Sequence, residues 1–193
     1  MVKVRYDRLE RLADRLEKVK RSHFDISTWY EAPSKKIAKI EKTKSLKYNF
    51  GGGFGKREVL IREGFCGSVA CVLGHAALID DFNDKGLYVD VTEAIDDVKY
   101  YKGGKSIELT ADVVYKDRDG IHYGAEAGIR FFGLPKVHAY IMFFYNAPLE
   151  CCQFYGVDME DQITPKKVAK ALRKYIETKG ESIKPFVESY KEY

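Results

Sequence analysis

No apolar run in the chain approaches the roughly eighteen residues that a membrane-crossing helix needs, which argues against a transmembrane protein. The opening Met1-Val2-Lys3-Val4-Arg5 leads into charged sequence, not the apolar core of a signal peptide, so the expected location is the cytoplasm. Cysteine is scarce as well. There are four, two of them adjacent at Cys151 and Cys152, which is no secreted disulfide framework and points to reduced thiols. The Cys-x-x-Cys pair that announces most structural zinc sites is absent. There is one tryptophan, Trp29, and no internal repeat.

At 193 residues the chain is long enough to bury a sizeable core, and it reads as a single domain over 1–193. The net charge of +4 is unevenly spread. Between Pro33 and Arg57 stand eight basic residues (Lys35, Lys36, Lys39, Lys42, Lys44, Lys47, Lys56, Arg57) against the single acid Glu41, so this segment carries +7 and the rest −3. Asp80, Asp81, Asp84, Asp90, Glu93, Asp96 and Asp97 form an opposing acidic stretch. Two solvated faces that attract one another are one reading; a basic segment that meets phosphate or an acidic partner is the other. The acidic stretch disfavours a general nucleic-acid binder without excluding it, and association with a second copy of the chain is left open.

Periodicity predicts the elements. Leu9, Leu12, Ala13, Leu16 and Val19 recur at helical spacing opposite Arg8, Arg11, Asp14, Arg15 and Lys18, an amphipathic surface helix over about 6–20. Phe24-Asp25-Ile26-Ser27-Thr28-Trp29 follows, with Asp25 or Ser27 as a helix N-cap and Trp29 as a core anchor or a ligand platform. The segment 33–57 ends in Phe50-Gly51-Gly52-Gly53-Phe54-Gly55-Lys56-Arg57. Phe50 occupies the place of the first glycine of a phosphate-binding loop and Arg57 that of its hydroxyl, so the P-loop pattern fails and a mobile loop or linker remains.

Cys66-Gly67-Ser68-Val69-Ala70-Cys71-Val72-Leu73-Gly74-His75-Ala76-Ala77-Leu78-Ile79 is apolar and rich in small residues, and it predicts a central buried helix with a bare stripe through Gly67, Ala70, Cys71, Gly74 and Leu78. After it the period changes to two. Leu87, Val89 and Val91, then Val98 to Tyr101, then Ile107 to Tyr115 about a Gly103-Gly104 turn, predict an antiparallel hairpin elaboration over 87–123, closed by the turn Asp117-Arg118-Asp119-Gly120. That turn lacks the remaining ligands of an EF-hand. Helical pattern returns over Ala125–Phe132, Gly133-Leu134-Pro135 breaks it, and Val137–Tyr145 fits a helix or a buried strand. Thr164 as N-cap and Pro165 at the first position open a helix that packs through Val168, Ala169, Leu172, Tyr175 and Ile176 and stops at Gly180, with a weaker pattern through Phe186, Val187 and Tyr190. The fold class is α+β: a helical core round the small-residue helix, with a small antiparallel sheet.

The Phe-Asp-x-x-x-Trp element at Phe24 to Trp29, the Cys-Gly-Ser-x-x-Cys-x-x-Gly helix from Cys66, the Phe132-Gly133-Leu134 turn and the Thr164-Pro165 helix together resemble a group of small uncharacterised proteins of phages and bacteria. That group carries Thr where this chain has Ser68. The resemblance implies a phage or prokaryotic cytoplasmic protein and no defined chemistry.

Three readings of the central motif compete. In the first it is architecture: the glycines permit close helix contact, Ser68 caps the helix, and Cys66 and Cys71 are small buried hydrophobes. In the second, Cys66 at the helix start is a nucleophile of lowered pKa, as in papain-like peptidases and amidases, with His138 as its base and Asn146 beyond. In the third, Cys71 and His75 at i, i+4 chelate zinc, completed by Cys66 or the Cys151–Cys152 pair. The function favoured is a non-catalytic, phage-type accessory protein that binds a host protein or a small anionic ligand, such as a nucleotide signal, to counter host defence, with no cofactor. The ligand-binding candidates are Trp29, Ser68, His75, Lys47, Lys56 and Arg57; the alternative is a cysteine-dependent hydrolase using Cys66 and His138.

Overall fold

The computed structural model describes residues 3–26, 31–32, 71–101, 104–143 and 149–190. Helix α1 (Tyr6–Lys18) buries Leu9, Leu12, Ala13 and Leu16, the i, i+3, i+4, i+7 set that the periodicity predicts, and each leucine removed from water stabilises the fold by roughly 1.5–3 kcal/mol. The helix is tied at its start by the Arg5 N–H, which donates to the Phe132 carbonyl at 2.8 Å. A 3-10 turn, Arg21–His23, follows and leads to the buried Phe24 and Ile26.

Of the small-residue stretch 66–79, residues 66–70 lie outside the described residues. Cys71 is extended (φ −76°, ψ −175°) and is itself the N-cap, its Sγ accepting from the Gly74 N–H at 3.4 Å. Helix α2 (Val72–Ala77) therefore starts after Cys71, while Ser68, the expected cap, lies outside the described residues. All six α2 residues are buried, so the helix is central as expected. It stops at Leu78, where the Asn83 side-chain amide donates to the Ala77 carbonyl (2.7 Å) and the Ile79 carbonyl (3.1 Å). Asp80, Asp81 and Asp84 belong to a second short helix, α3 (Asp80–Asp84), whose Phe82 is buried against Phe131 with ring centroids 4.8 Å apart.

The sheet is antiparallel in order β1-β3-β2, with β4 also on β3. Here β1 is Glu31–Ala32, β2 Leu87–Tyr101, β3 Gly104–Lys116 and β4 Ile121–Tyr123. β2 and β3 form the expected hairpin, running in register from Leu87 opposite Tyr115 to Tyr101 opposite Gly104, with an irregularity between Glu93 and Val98. The turn to β4 is fixed by Asp117, whose Oδ1 accepts from the Asp119 N–H (2.8 Å) and the Gly120 N–H (3.1 Å).

Of the two options for 137–145, the helix is found. α4 (Gly124–Phe132) ends at Gly133 in the left-handed conformation (φ +64°), and α5 (Lys136–Phe143) follows. α6 (Leu149–Phe154), a 3-10 turn Glu160–Gln162, α7 (Pro165–Glu177) and α8 (Lys184–Ser189) complete the described chain. Thr164 caps α7 as expected, accepting from the Lys167 N–H at 3.3 Å. α7 lies along α1, and Arg173 clasps Glu10, Asp14 (2.8 Å) and Glu17 (3.1 Å), three acids on one face of α1. Eight α-helices and a small antiparallel sheet among the described residues make the protein α+β, as the pattern predicts. Among those residues no helix is long and apolar enough to cross a membrane.

Candidate functional site

Three of the segments singled out in the sequence meet. The turn from Arg21 to Ile26 supplies Phe24 and Asp25, α2 supplies His75 with Cys71 as its cap, and the chain entering α7 supplies Ile163. His75 is 4% exposed, and its ring stacks on Phe24 with centroids 6.0 Å apart and planes 7° from parallel. Its Nε2–H donates to the His23 carbonyl at 2.8 Å, a role that fixes the tautomer because a carbonyl can only accept. Nδ1 then carries a buried lone pair with no partner. Burial, with the positive charge of Arg15 and the neighbouring His23, brings the His75 pKa down to about 4, although the bond to the His23 carbonyl acts the other way.

Over this junction opens a cleft of about 550 Å3, lined by Arg21, Asp25, Ile26, Met159, Glu160, Asp161 and Ile163. Its two walls lie about 140 residues apart in sequence and are joined by Arg21, which donates from Nη1 to the Phe24 carbonyl (2.6 Å) and from Nη2 to the Asp161 carbonyl (2.9 Å). Three carboxylates face one guanidinium. Partial burial and the proximity of Asp25 raise the Glu160 carboxyl above its usual range. Ile26 and Ile163 are buried in the floor, and Met159 stands 60% exposed at the rim. The cleft thus offers negative charge beside apolar surface, a combination suited to a basic side chain with an aliphatic stem.

The thiols of the described residues are buried, and burial raises the pKa of each. Burial pushes Cys71 up to about 12, against the lowering effect of backbone N–H groups at the start of α2. Burial raises Cys151 as well, and burial with Glu160 raises Cys152. His138 lies on α5 with its Nδ1 hydrogen-bonded to the Tyr175 hydroxyl of α7 at 2.8 Å, and burial lowers its pKa. Nothing among the described residues brings a thiolate to it. Of the expected i, i+4 chelate, Cys71 precedes the first helical residue and turns its Sγ to the Gly74 N–H, and His75 gives its Nε2–H to the His23 carbonyl. Among the described residues no group of three or more His, Cys, Asp or Glu side chains is placed to hold a metal ion.

Of the candidate residues, Cys66, Ser68, Trp29, Lys47, Lys56 and Arg57 lie outside the described residues, as does Asn146 and the basic segment 33–57. The cleft residues that sequence reasoning passed over are Arg21, Met159, Glu160 and Asp161. They sit in turns, where hydrophobic periodicity gives no signal; Asp25 and Ile26 stood in the Phe24 to Trp29 motif, and Ile163 directly precedes the Thr164-Pro165 helix start. Comparison of the chain with protein-family models, with curated proteins and with solved structures finds no match.

Proposed function

We propose that this chain is a non-catalytic binding protein, a phage-type accessory protein in the sense of its motif resemblance, whose partner is a host protein held at the cleft between Arg21–Ile26 and Met159–Ile163. The observation that carries the reading is the contrast at that junction: an open cleft of about 550 Å3 beside thiols and a histidine that are sealed and bonded. A nucleophile must be ionised and reachable, and Cys71 is neither. The charge of the cleft favours the protein partner over the small anion, since Asp25, Glu160 and Asp161 outnumber Arg21. The anion preference rests on Lys47, Lys56, Arg57 and their neighbours alone, and interference with host defence on the resemblance alone. The cysteine hydrolase, with Cys66 as nucleophile and His138 as its base, keeps its sequence argument; Cys66 lies outside the described residues, and His138 is hydrogen-bonded to Tyr175.

The test is co-purification from a bacterial host of three tagged chains: the native sequence, Asp25→Lys with Glu160→Lys, and Ile121→Asp as a control on β4 away from the cleft lining. A host protein in fixed stoichiometry with the native and Ile121→Asp chains, and lost from the charge-reversed one, is expected. A partner retained after charge reversal would overturn the assignment to this cleft.

A further inference from the structure

We propose that His75 is a protonation-sensitive latch that positions the Arg21–Ile26 wall of the cleft. The wall is fastened to the core through this ring: the Nε2–H bond to the His23 carbonyl at 2.8 Å and the stack on Phe24 both come from it. The neutral ring satisfies the contact with one N–H and leaves Nδ1 as an enclosed, unpartnered lone pair. Adding a proton there creates an N–H with no acceptor and a charge with no counter-ion, inside a site 4% exposed.

The charged groups that act on the ring oppose that charge. Arg15 on α1 presents a guanidinium whose own Nε is buried without a partner, and His23 stands on the turn itself. Asp80, at the start of α3, acts on Arg15, while Asp25 on the turn acts on Cys71. The other elements packed on α2, β2, β3 and α5, contribute buried apolar residues, Leu87, Val113 and Met142 among them. Swinging the imidazolium out to water removes the charge and the orphan N–H together, and it breaks both contacts to the wall. Arg21, which spans the cleft from that wall, moves with it. The neutral latch is closed at pH 7, since the ring titrates only near about 4.

The inference concerns the cleft on which the proposed function rests, but its test uses no ligand, so either can fail alone. It is a titration from pH 7 to pH 3.5 followed by two-dimensional NMR, reading the His75 ring protons and the backbone amides of 21–26. The expected result is that the His23, Phe24 and Asp25 amides shift with the same midpoint as the His75 ring, while those of α7 stay in place. Asp25→Asn with Glu160→Gln, which removes two carboxylates of the cleft lining, should leave that transition intact. His75→Gln, which keeps a side-chain N–H for the His23 carbonyl and never charges, should abolish it. A wall transition that follows the carboxylate variants, survives in His75→Gln, or coincides with loss of all signals including those of α7 would overturn the latch. Should His75→Gln fail to fold, the native chain and the carboxylate variant decide between the ring and the carboxylates.

Discussion

A histidine enclosed as fully as His75 is held neutral by its surroundings, and that has a thermodynamic consequence. Its folded pKa of about 4 lies below the ordinary 6.5, so the unfolded chain binds the proton more readily and stability falls as pH drops through the window between them. The difference corresponds to roughly 3 kcal/mol at about 1.4 kcal/mol per tenfold. His138, lowered by its half-buried position against Tyr175, adds in the same direction. Urea unfolding at pH 7 and at pH 4.5 should show a drop that His75→Gln reduces; an equal drop in that variant would remove His75 as its source. The thiols make the second residue-scale prediction. With a pKa of about 12, Cys71 is ionised in about one molecule in 100,000 at pH 7. Iodoacetamide should therefore label Cys71, Cys151 and Cys152 at least about 100-fold more slowly in the native protein than in urea, read by peptide mass mapping. Native labelling of Cys71 at the unfolded rate would contradict its burial.

At the scale of elements, the legible parts were those whose stability comes from a repeating face. α1 and α7 bury one stripe each, and Thr164-Pro165 states where α7 begins. Arg173 was not legible as a clasp, because nothing in the sequence says which helix α7 meets. Arg173→Ala should cost roughly 1 kcal/mol, less in high salt, since its acids are half exposed. Within the 66–79 stretch the small apolar residues carry no periodic contrast, so the sequence does not show the break that the extended Cys71 makes at the start of α2. The acidic residues after it read as a solvated run, whereas Asn83 and Phe82 make 80–84 a helix whose side chains close α2 and enter the core. Gly86 carries the hairpin: its φ is +92° and a Cβ there would lie 2.4 Å from the Lys116 carbonyl oxygen. Gly86→Ala should destabilise by about 2 kcal/mol or more, measured by thermal unfolding.

Over the whole molecule, the cleft exists because residues near 21–26 and near 159–163 are brought face to face by the packing of α1 on α7 and of the turn on α2. Fold class could be read from alternation and helical spacing alone. The site could not, because its polar lining comes from two turns whose partnership is set only by tertiary packing. The stack of His75 on Phe24 ties the turn to α2. The account's central claim is that this junction serves a protein partner and performs no thiol chemistry. The most direct measurement is a native mass spectrum of the chain freshly purified from a bacterial host, set against its denatured mass. The account predicts a non-covalent complex heavier by one host protein, which separates on denaturation into the bare chain. A bare chain under native conditions, an excess of only a few hundred daltons, or a covalent adduct that survives denaturation would contradict it.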